Sequence, residues 1–295
     1  MAMTTMHNIK PYANSTSLLD DPQALRQRAR EDGCLFFKGL LPSAALFNVR
    51  RQILHTCQEH GWLKEGTEAI DGIARENLSV IESGDSRWQD FYCDVLKLRD
   101  FHALALHDSI TTMLATLFDE KALPHSRNIC RLMFPQTQTH STPPHQDHFY
   151  IGGSDETWTA WIPLGDCPVE LGSLAVARGS HTRGMMDVHE AQGAGGRAVS
   201  IDEHTEWFGG DFACGDVLVL HSLAVHQGRD NQTLDQLRLS VDYRYQPLSH
   251  PVREDSLLPH MGWVNWEEIY ADWAVDDPVK YYWQNWNLHV QQREG

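Results

Sequence analysis

Leu237-Arg238-Leu239-Ser240-Val241-Asp242-Tyr243-Arg244-Tyr245 alternates without a break. Side chains on a strand point to its two faces in turn. Arg238, Ser240, Asp242 and Arg244 therefore share one face, and Leu237, Leu239, Val241, Tyr243 and Tyr245 share the other. Such a period of two predicts a strand with one apolar side against a core. Two environments suit its polar side. One is bulk solvent; the other is a wet barrel interior, where a guanidinium meets a carboxylate in a bidentate, charge-assisted pair.

Upstream, the same short β-friendly runs recur in Asn128–Phe134, Thr157–Leu164 and Val217–His221, separated by Gly, Pro and polar turns. Many short strands at this spacing predict a sandwich, barrel or jelly roll. Residues 187–206, rich in Gly and Ala, read as a long loop or insertion.

The first third changes period. Asp21 before Pro22 is an N-cap followed by a proline at the first helical position, and Gly33 ends that helix. Ser43 is placed to cap a second helix, whose Leu46, Val49, Ile53 and Cys57 recur at helical spacing up to Gly61. Asp108 starts another, with Ile110, Met113, Leu114 and Leu117 on one face. The expectation is one domain over 1–295: helices over about 20–120 packed outside a sheet, a β core over about 127–246, and an aromatic closing segment over 247–295. The fold class is mainly β with N-terminal helices (α+β).

Composition narrows the function. The chain has 295 residues, 41% hydrophobic and 22% charged, with a formal charge of −16. That is the composition of a globular protein rather than a disordered or fibrous one. The acidic excess disfavours nucleic acid, whose phosphates need an attracting field. No apolar run is long enough to span a membrane, and the start lacks the apolar stretch of a secretory signal. Six scattered cysteines without a CxxC pair read as reduced thiols. The expected setting is cytoplasmic, as a monomer or homodimer.

The sharpest local feature is Pro143-Pro144-His145-Gln146-Asp147-His148-Phe149. On a strand, His145 and Asp147 point to the same side and converge on one point. An imidazole and a carboxylate, with a second imidazole from elsewhere, make the facial triad of non-haem Fe(II) oxygenases. The stretch from Gly215-Asp216 to His226 reads as a turn, an apolar strand and a second turn, and by spacing alone either His221 or His226 can be the third ligand. The bland alternative is a chance surface pair among 17 histidines.

His145-Gln-Asp147, Leu171 through Gly179-Ser180-His181, Gly215-Asp216 through His226, Asn231 and Arg238 occur in an order that resembles the phytanoyl-CoA dioxygenase family, a branch of the Fe(II)/2-oxoglutarate oxygenases. Glu31 to Leu41 resembles the opening segment of that family, and the likeness spans roughly residues 28 to 246. It implies a double-stranded β-helix (jelly roll) with iron at its mouth. The ligands it implies are His145, Asp147 and His226, with His221 not a ligand and His181 a structural turn residue.

The resemblance further implies that Arg238 clasps the distal carboxylate of 2-oxoglutarate, with Arg244 on the same face as the alternative. Arg131, Thr159 and Trp161 are candidates for further co-substrate contacts. The implied reaction is hydroxylation of an unactivated C–H bond of a small-molecule substrate, using O2 and releasing succinate and CO2. Related halogenases lack the carboxylate that Asp147 supplies, so its presence points to hydroxylation or desaturation. The alternative function is a cupin-type metal protein that does not use 2-oxoglutarate.

Three further groups are singled out. Lys64, Arg75 and Arg127 are basic residues that can meet an anionic substrate. Of Trp158 and Trp161, one is expected in the core. Trp263, Trp266, Tyr270, Trp273, Tyr281, Tyr282, Trp283 and Trp286 fit core packing of a terminal helix pair, an oligomer contact, or a lid.

Overall fold

The computed structural model describes residues 9–78, 84–136 and 141–292. Asp21 caps α1 (Pro22–Asp32) by accepting the Ala24 amide at 3.0 Å, with Pro22 at the first position. Gly33 ends it at φ 71°, in the left-handed region, where a Cβ would also run into the His181 ring. Helix α2 (Ser43–Glu59) buries Leu46, Val49, Ile53 and Cys57 as the spacing predicts. Its N-cap is Pro42 rather than Ser43, which is the first helical residue and gives no side-chain cap. Two further helices follow, α3 (Ser86–Leu96), capped by Asp85 and burying Trp88, Phe91, Tyr92, Val95 and Leu96, and α4 (Arg99–Leu104), and then α5 (Asp108–Phe118).

Two large sheets carry most of the strands among the described residues. The larger holds β2 (Cys34–Phe37), β10 (Val217–His221), β5 (Trp158–Pro163), β12 (Arg238–Pro247) and β3 (Ala122–Pro124) in that order, with β4 (Ile129–Met133) also on β12. The smaller runs β1 (Ile9–Lys10), β9 (Trp207–Gly209), β6 (Leu174–Ala177) and β11 (His226–Gly228). Apart from the parallel β1–β9 pair, the ladders of these two sheets are antiparallel. The fold is a jelly roll, as expected. Residues 187–206 are more than a loop: β7 (Val188–Glu190) and β8 (Arg197–Val199) pair there as a hairpin.

Register assigns every side chain of β12. Val241 pairs with Ile162 and Cys130, and this row faces the helices, where one large hydrocarbon core forms. Asp242 pairs with Trp161 and Ile129, and that row faces the lumen between the sheets. The solvent alternative for the polar face is overturned, since Arg238, Ser240, Asp242 and Arg244 are all buried. Trp158 lies in the helix-side core and Trp161 in the lumen-side one.

The aromatic closing segment packs on the helical side. Trp266, Tyr270 and Trp283 are buried in the large core, and Tyr282 donates to the Pro124 carbonyl. Core packing accounts for it. The expected helix pair does not form; α7 (Trp266–Ile269) is a single turn among 3-10 turns. No helix among the described residues is long and apolar enough to cross a membrane.

Candidate metal centre

His145 and His226 exchange both backbone hydrogen bonds, each at 3.0 Å. Directly opposed residues of an antiparallel pair put their side chains on one side, and the two rings sit with centroids 4.2 Å apart. The chain then bends. Asp147 is not on a strand, as the HxD spacing suggested: it has helical dihedrals (φ −61°, ψ −32°) and precedes the single-turn helix α6 (His148–Ile151). Convergence comes from this bend. The Asp147 carboxylate lies 3.8 Å from His145 Nε2, and ligand atoms of His145, Asp147 and His226 all lie within 4.8 Å of one another.

Each ligand-type side chain is held from behind. His145 Nδ1 is 2.8 Å from the Pro143 carbonyl and His226 Nδ1 is 3.0 Å from the Ala224 carbonyl. Both Nδ1–H groups therefore donate to backbone, leaving Nε2 lone pairs for a metal. Thr159 Oγ1 donates to Asp147 Oδ2 at 2.6 Å, and Arg244 donates to Oδ1 at 3.3 Å. Gln146, between the two ligands, is turned away. It donates to the Gly184 and Leu223 carbonyls and accepts the Met186 amide, tying three segments behind the site.

Electrostatics suits a cation. Burial alone would raise the Asp147 carboxyl, but Arg244, His226 and His145 outweigh it and hold the group well below the usual carboxylate range. Burial and the His226 ring push His145 down to about 3, so its imidazole is neutral. Two imidazoles that present Nε2 and one carboxylate, clustered and oriented, are a donor set that fits Fe(II).

Residues 29–239 match the phytanoyl-CoA dioxygenase family. The chain belongs to that family. Membership makes it an oxidoreductase, a dioxygenase using Fe(II), 2-oxoglutarate and O2. The dioxygenase is 27% identical over 265 residues to the 1-deoxypentalenic acid 11-beta-hydroxylase of Streptomyces arenae, covering 84% of this chain and 89% of that protein. It is 29% identical over 268 residues to the enzyme of the same name from Streptomyces exfoliatus, covering 85% and 90%. Its fold resembles that of the non-heme alpha-ketoglutarate-dependent carbocyclase SnoK from nogalamycin biosynthesis, with a TM-score of 0.54 at 20% identity over 78% of this chain and 85% of that one. The epimerase SnoN, solved with Fe3+ and alpha-ketoglutarate, gives 0.53 at 21% over 79% and 86%.

The remaining candidates fall into place around the dioxygenase's triad. His221 has the parity of Val217 and Val219, faces the helix side, and packs against Trp158 and His181 at 5.1 and 5.3 Å. It takes no part in the cluster. Thr159 spends its hydroxyl on Asp147. Arg131 donates to Asp242 at 2.9 Å. Arg238 donates to Ser240 at 2.5 Å and lies over the Trp161 ring, 5.9 Å from its centroid. Asn231 sets the approach to β12 by donating to the Met133 and Gln236 carbonyls.

A cavity of about 1120 Å³ opens beside His145 and Asp147, and its wall includes Arg131 and Arg244 but not Arg238. Of the three basic residues set aside from the helical region, Arg127 lines it. Lys64 instead pairs with Glu76 on the surface, and Arg75 is not part of the wall. His260, Arg253 and the Gly193–Gly196 turn also line it; no motif in the sequence announced them.

Proposed function

We propose that His145, Asp147 and His226 hold one Fe(II), that Arg238 anchors the distal carboxylate of 2-oxoglutarate, and that the enzyme hydroxylates a C–H bond of a small-molecule metabolite. The balance is R–H + 2-oxoglutarate + O2 → R–OH + succinate + CO2. The observation that carries the reading is the triad itself: three ligand atoms within 4.8 Å, with both imidazoles turned by backbone carbonyls to offer Nε2. Bound iron supplies activation of O2 coupled to oxidative decarboxylation of the keto acid.

The protein's own part is binding and orientation. Thr159 and Arg244 fix the Asp147 carboxylate and keep it ionised. Ser240 and the Trp161 ring aim the Arg238 guanidinium, the donor fork that matches a carboxylate. Thr159 and Trp161 thus serve the co-substrate through Asp147 and Arg238, and the Asp242-paired Arg131 lends it a second cation. The reading carries with it a cytoplasmic monomer or homodimer whose six free cysteines stay reduced.

The test is anaerobic reconstitution with Fe(II). Added 2-oxoglutarate should produce a weak visible charge-transfer band; His226→Ala should abolish both iron binding and the band, and His221→Ala should keep both. Iron bound with no change on adding 2-oxoglutarate would favour the cupin-type alternative.

A further inference from the structure

We propose that the mouth of the cavity is an anion site, with Arg127 and His260 as its donors, and that the substrate is an amphiphilic carboxylic acid whose acid group docks there. The proposal rests on the iron and 2-oxoglutarate reading and adds the substrate class.

Charge is the first argument. Four guanidiniums line the cavity: Arg127, Arg131, Arg244 and Arg253. Three have carboxylate partners, Arg131 with Asp242 at 2.9 Å, Arg244 with Asp147 at 3.3 Å and Arg253 with Asp255 at 2.7 Å. Arg127 makes no ion pair among the described residues. Its NH1 donates to the Asp255 and Pro259 carbonyls at 3.1 and 3.3 Å, which orients the fork without neutralising it. The Asp255 carboxylate attracts it but is already paired with Arg253, so this half-buried guanidinium has no ion pair of its own and gains from an anion that joins it.

His260 adds a neutral donor. The Cys130 amide donates to the Tyr92 hydroxyl oxygen at 3.3 Å, and the same hydroxyl lies 2.7 Å from His260 Nδ1, which we assign as the acceptor of its proton. The tautomer assigned by this network carries its proton on Nε2. The hydrogen bond of His260 is made at Nδ1, which leaves Nε2 to the cavity that His260 lines. Burial and the guanidiniums of Arg127, Arg131 and Arg244 hold His260 well below its usual value, which keeps the ring neutral. One unpaired guanidinium beside one neutral N–H donor matches a monoanion, not a polyphosphate.

Position separates this site from that of the co-substrate. Arg238 and Arg244 lie at opposite ends of the lumen face of β12, about 20 Å apart along the strand at about 3.3 Å per residue. The His125 amide donates to the Arg244 carbonyl at 2.8 Å, which puts the Arg127 segment at the Arg244 end. The triad meets β12 at that end too, through Asp147 and Arg244, whereas Arg238 is held against Ser240, Met133 and Trp161 and does not line the cavity. Around the opening, Phe149, Tyr150 and Met261 are exposed apolar side chains of the cavity wall, a surface for a hydrocarbon body. The volume of about 1120 Å³ exceeds what a small keto-diacid fills.

The test uses the Fe(II)·2-oxoglutarate enzyme and matched probes: medium-chain and cyclohexyl-substituted carboxylic acids, each beside its primary amide. Binding is read from the shift of the visible band, and coupling from succinate release. Acids should bind roughly tenfold or more tighter than their amides. Arg127→Met should shrink that preference toward unity, Arg127→Lys should retain part of it, and His260→Gln should retain more than His260→Leu. Equal affinity of the intact enzyme for acid and amide overturns the proposal while the band leaves the iron reading standing; absence of the band overturns both. A rise in the 2-oxoglutarate KM of Arg127→Met with no change for the acid would reassign the mouth to the co-substrate and overturn it too.

Discussion

The two faces of β12 are equally buried and chemically opposite: Leu239 is 3% exposed and Arg238 is 5% exposed. Leu239 and Val241 sit in hydrocarbon against the helices, and the hydroxyls of Tyr243 and Tyr245 donate to the Phe101 and Ala105 carbonyls at 2.6 and 2.9 Å, pegging α4 to the sheet. The opposite face holds charges that burial penalises unless they are paired. There Arg244 is held by Asp147 and Arg131 by Asp242. Burial alone does not tell scaffold from site; what each buried atom is bonded to does. One face should govern stability, the other chemistry.

The largest expected effect breaks the lumen side. Asp147→Ala should remove the iron and lower turnover by about 10³-fold or more, since a tridentate site loses its only charged ligand; iron stoichiometry and succinate release check it. Next, Arg238→Ala should raise the KM for 2-oxoglutarate by about 100-fold, the loss of a charge-assisted pair. If Arg244→Ala gives that rise instead, the anchor is at the other end of the strand.

On the helix side the effect should move to stability. Leu239→Ala should cost about 3 kcal/mol in denaturant unfolding, by transfer and cavity terms, with iron and 2-oxoglutarate binding as before. A change in metal affinity there would mean that the faces are coupled. His102, in the helical layer, sharpens the contrast through pH. Its Nε2–H donates to the Leu96 carbonyl, its Nδ1 accepts from Asn128, and burial lowers it from 6.5 to about 4. The unfolded chain thus binds that proton first, and stability should fall as pH drops from about 6.5 to about 4, by up to about 3 kcal/mol. Thermal melts across this range, with His102→Gln flattening the slope, check it. The smallest effect is Tyr243→Phe, about 1 kcal/mol for one lost hydrogen bond.

Much of this was readable before any coordinates. The runs at 128–134, 157–164, 217–221 and 237–245 all became strands, because alternation records a sheet with two different faces. The capped helix α1 and the amphipathic α2 and α5 were equally plain, although α5 is capped by His107, which the sequence reading did not single out. The hairpin at 188–199 was not, since its strands are exposed and carry little apolar pattern. Asp85 and the stripe Trp88, Phe91, Tyr92, Val95 and Leu96 do signal α3, although it was not among the helices read from the sequence; α4 is a six-residue helix whose N-cap, Leu98, offers no side-chain cap. At the site, HxD named two ligand types, but the strand geometry inferred for it was wrong, because a helical turn at Asp147 does the work. His221 and His226 were indistinguishable by distance from the strand alone; the parity of β10 settles which of them faces the lumen side.

What the sequence determined by itself was local and periodic: which stretches are strands, that Asp21 caps α1, which residue types can bind a metal, and that two faces of one strand differ. These follow from dihedral preference and the hydrophobic pattern within a few residues. Only the tertiary structure decided which imidazole joins the cluster, that the polar face of β12 looks inward rather than to solvent, and that Arg127 and His260 meet at one opening. Those facts depend on contacts between residues far apart in the chain, and no local period encodes the register that brings such residues together.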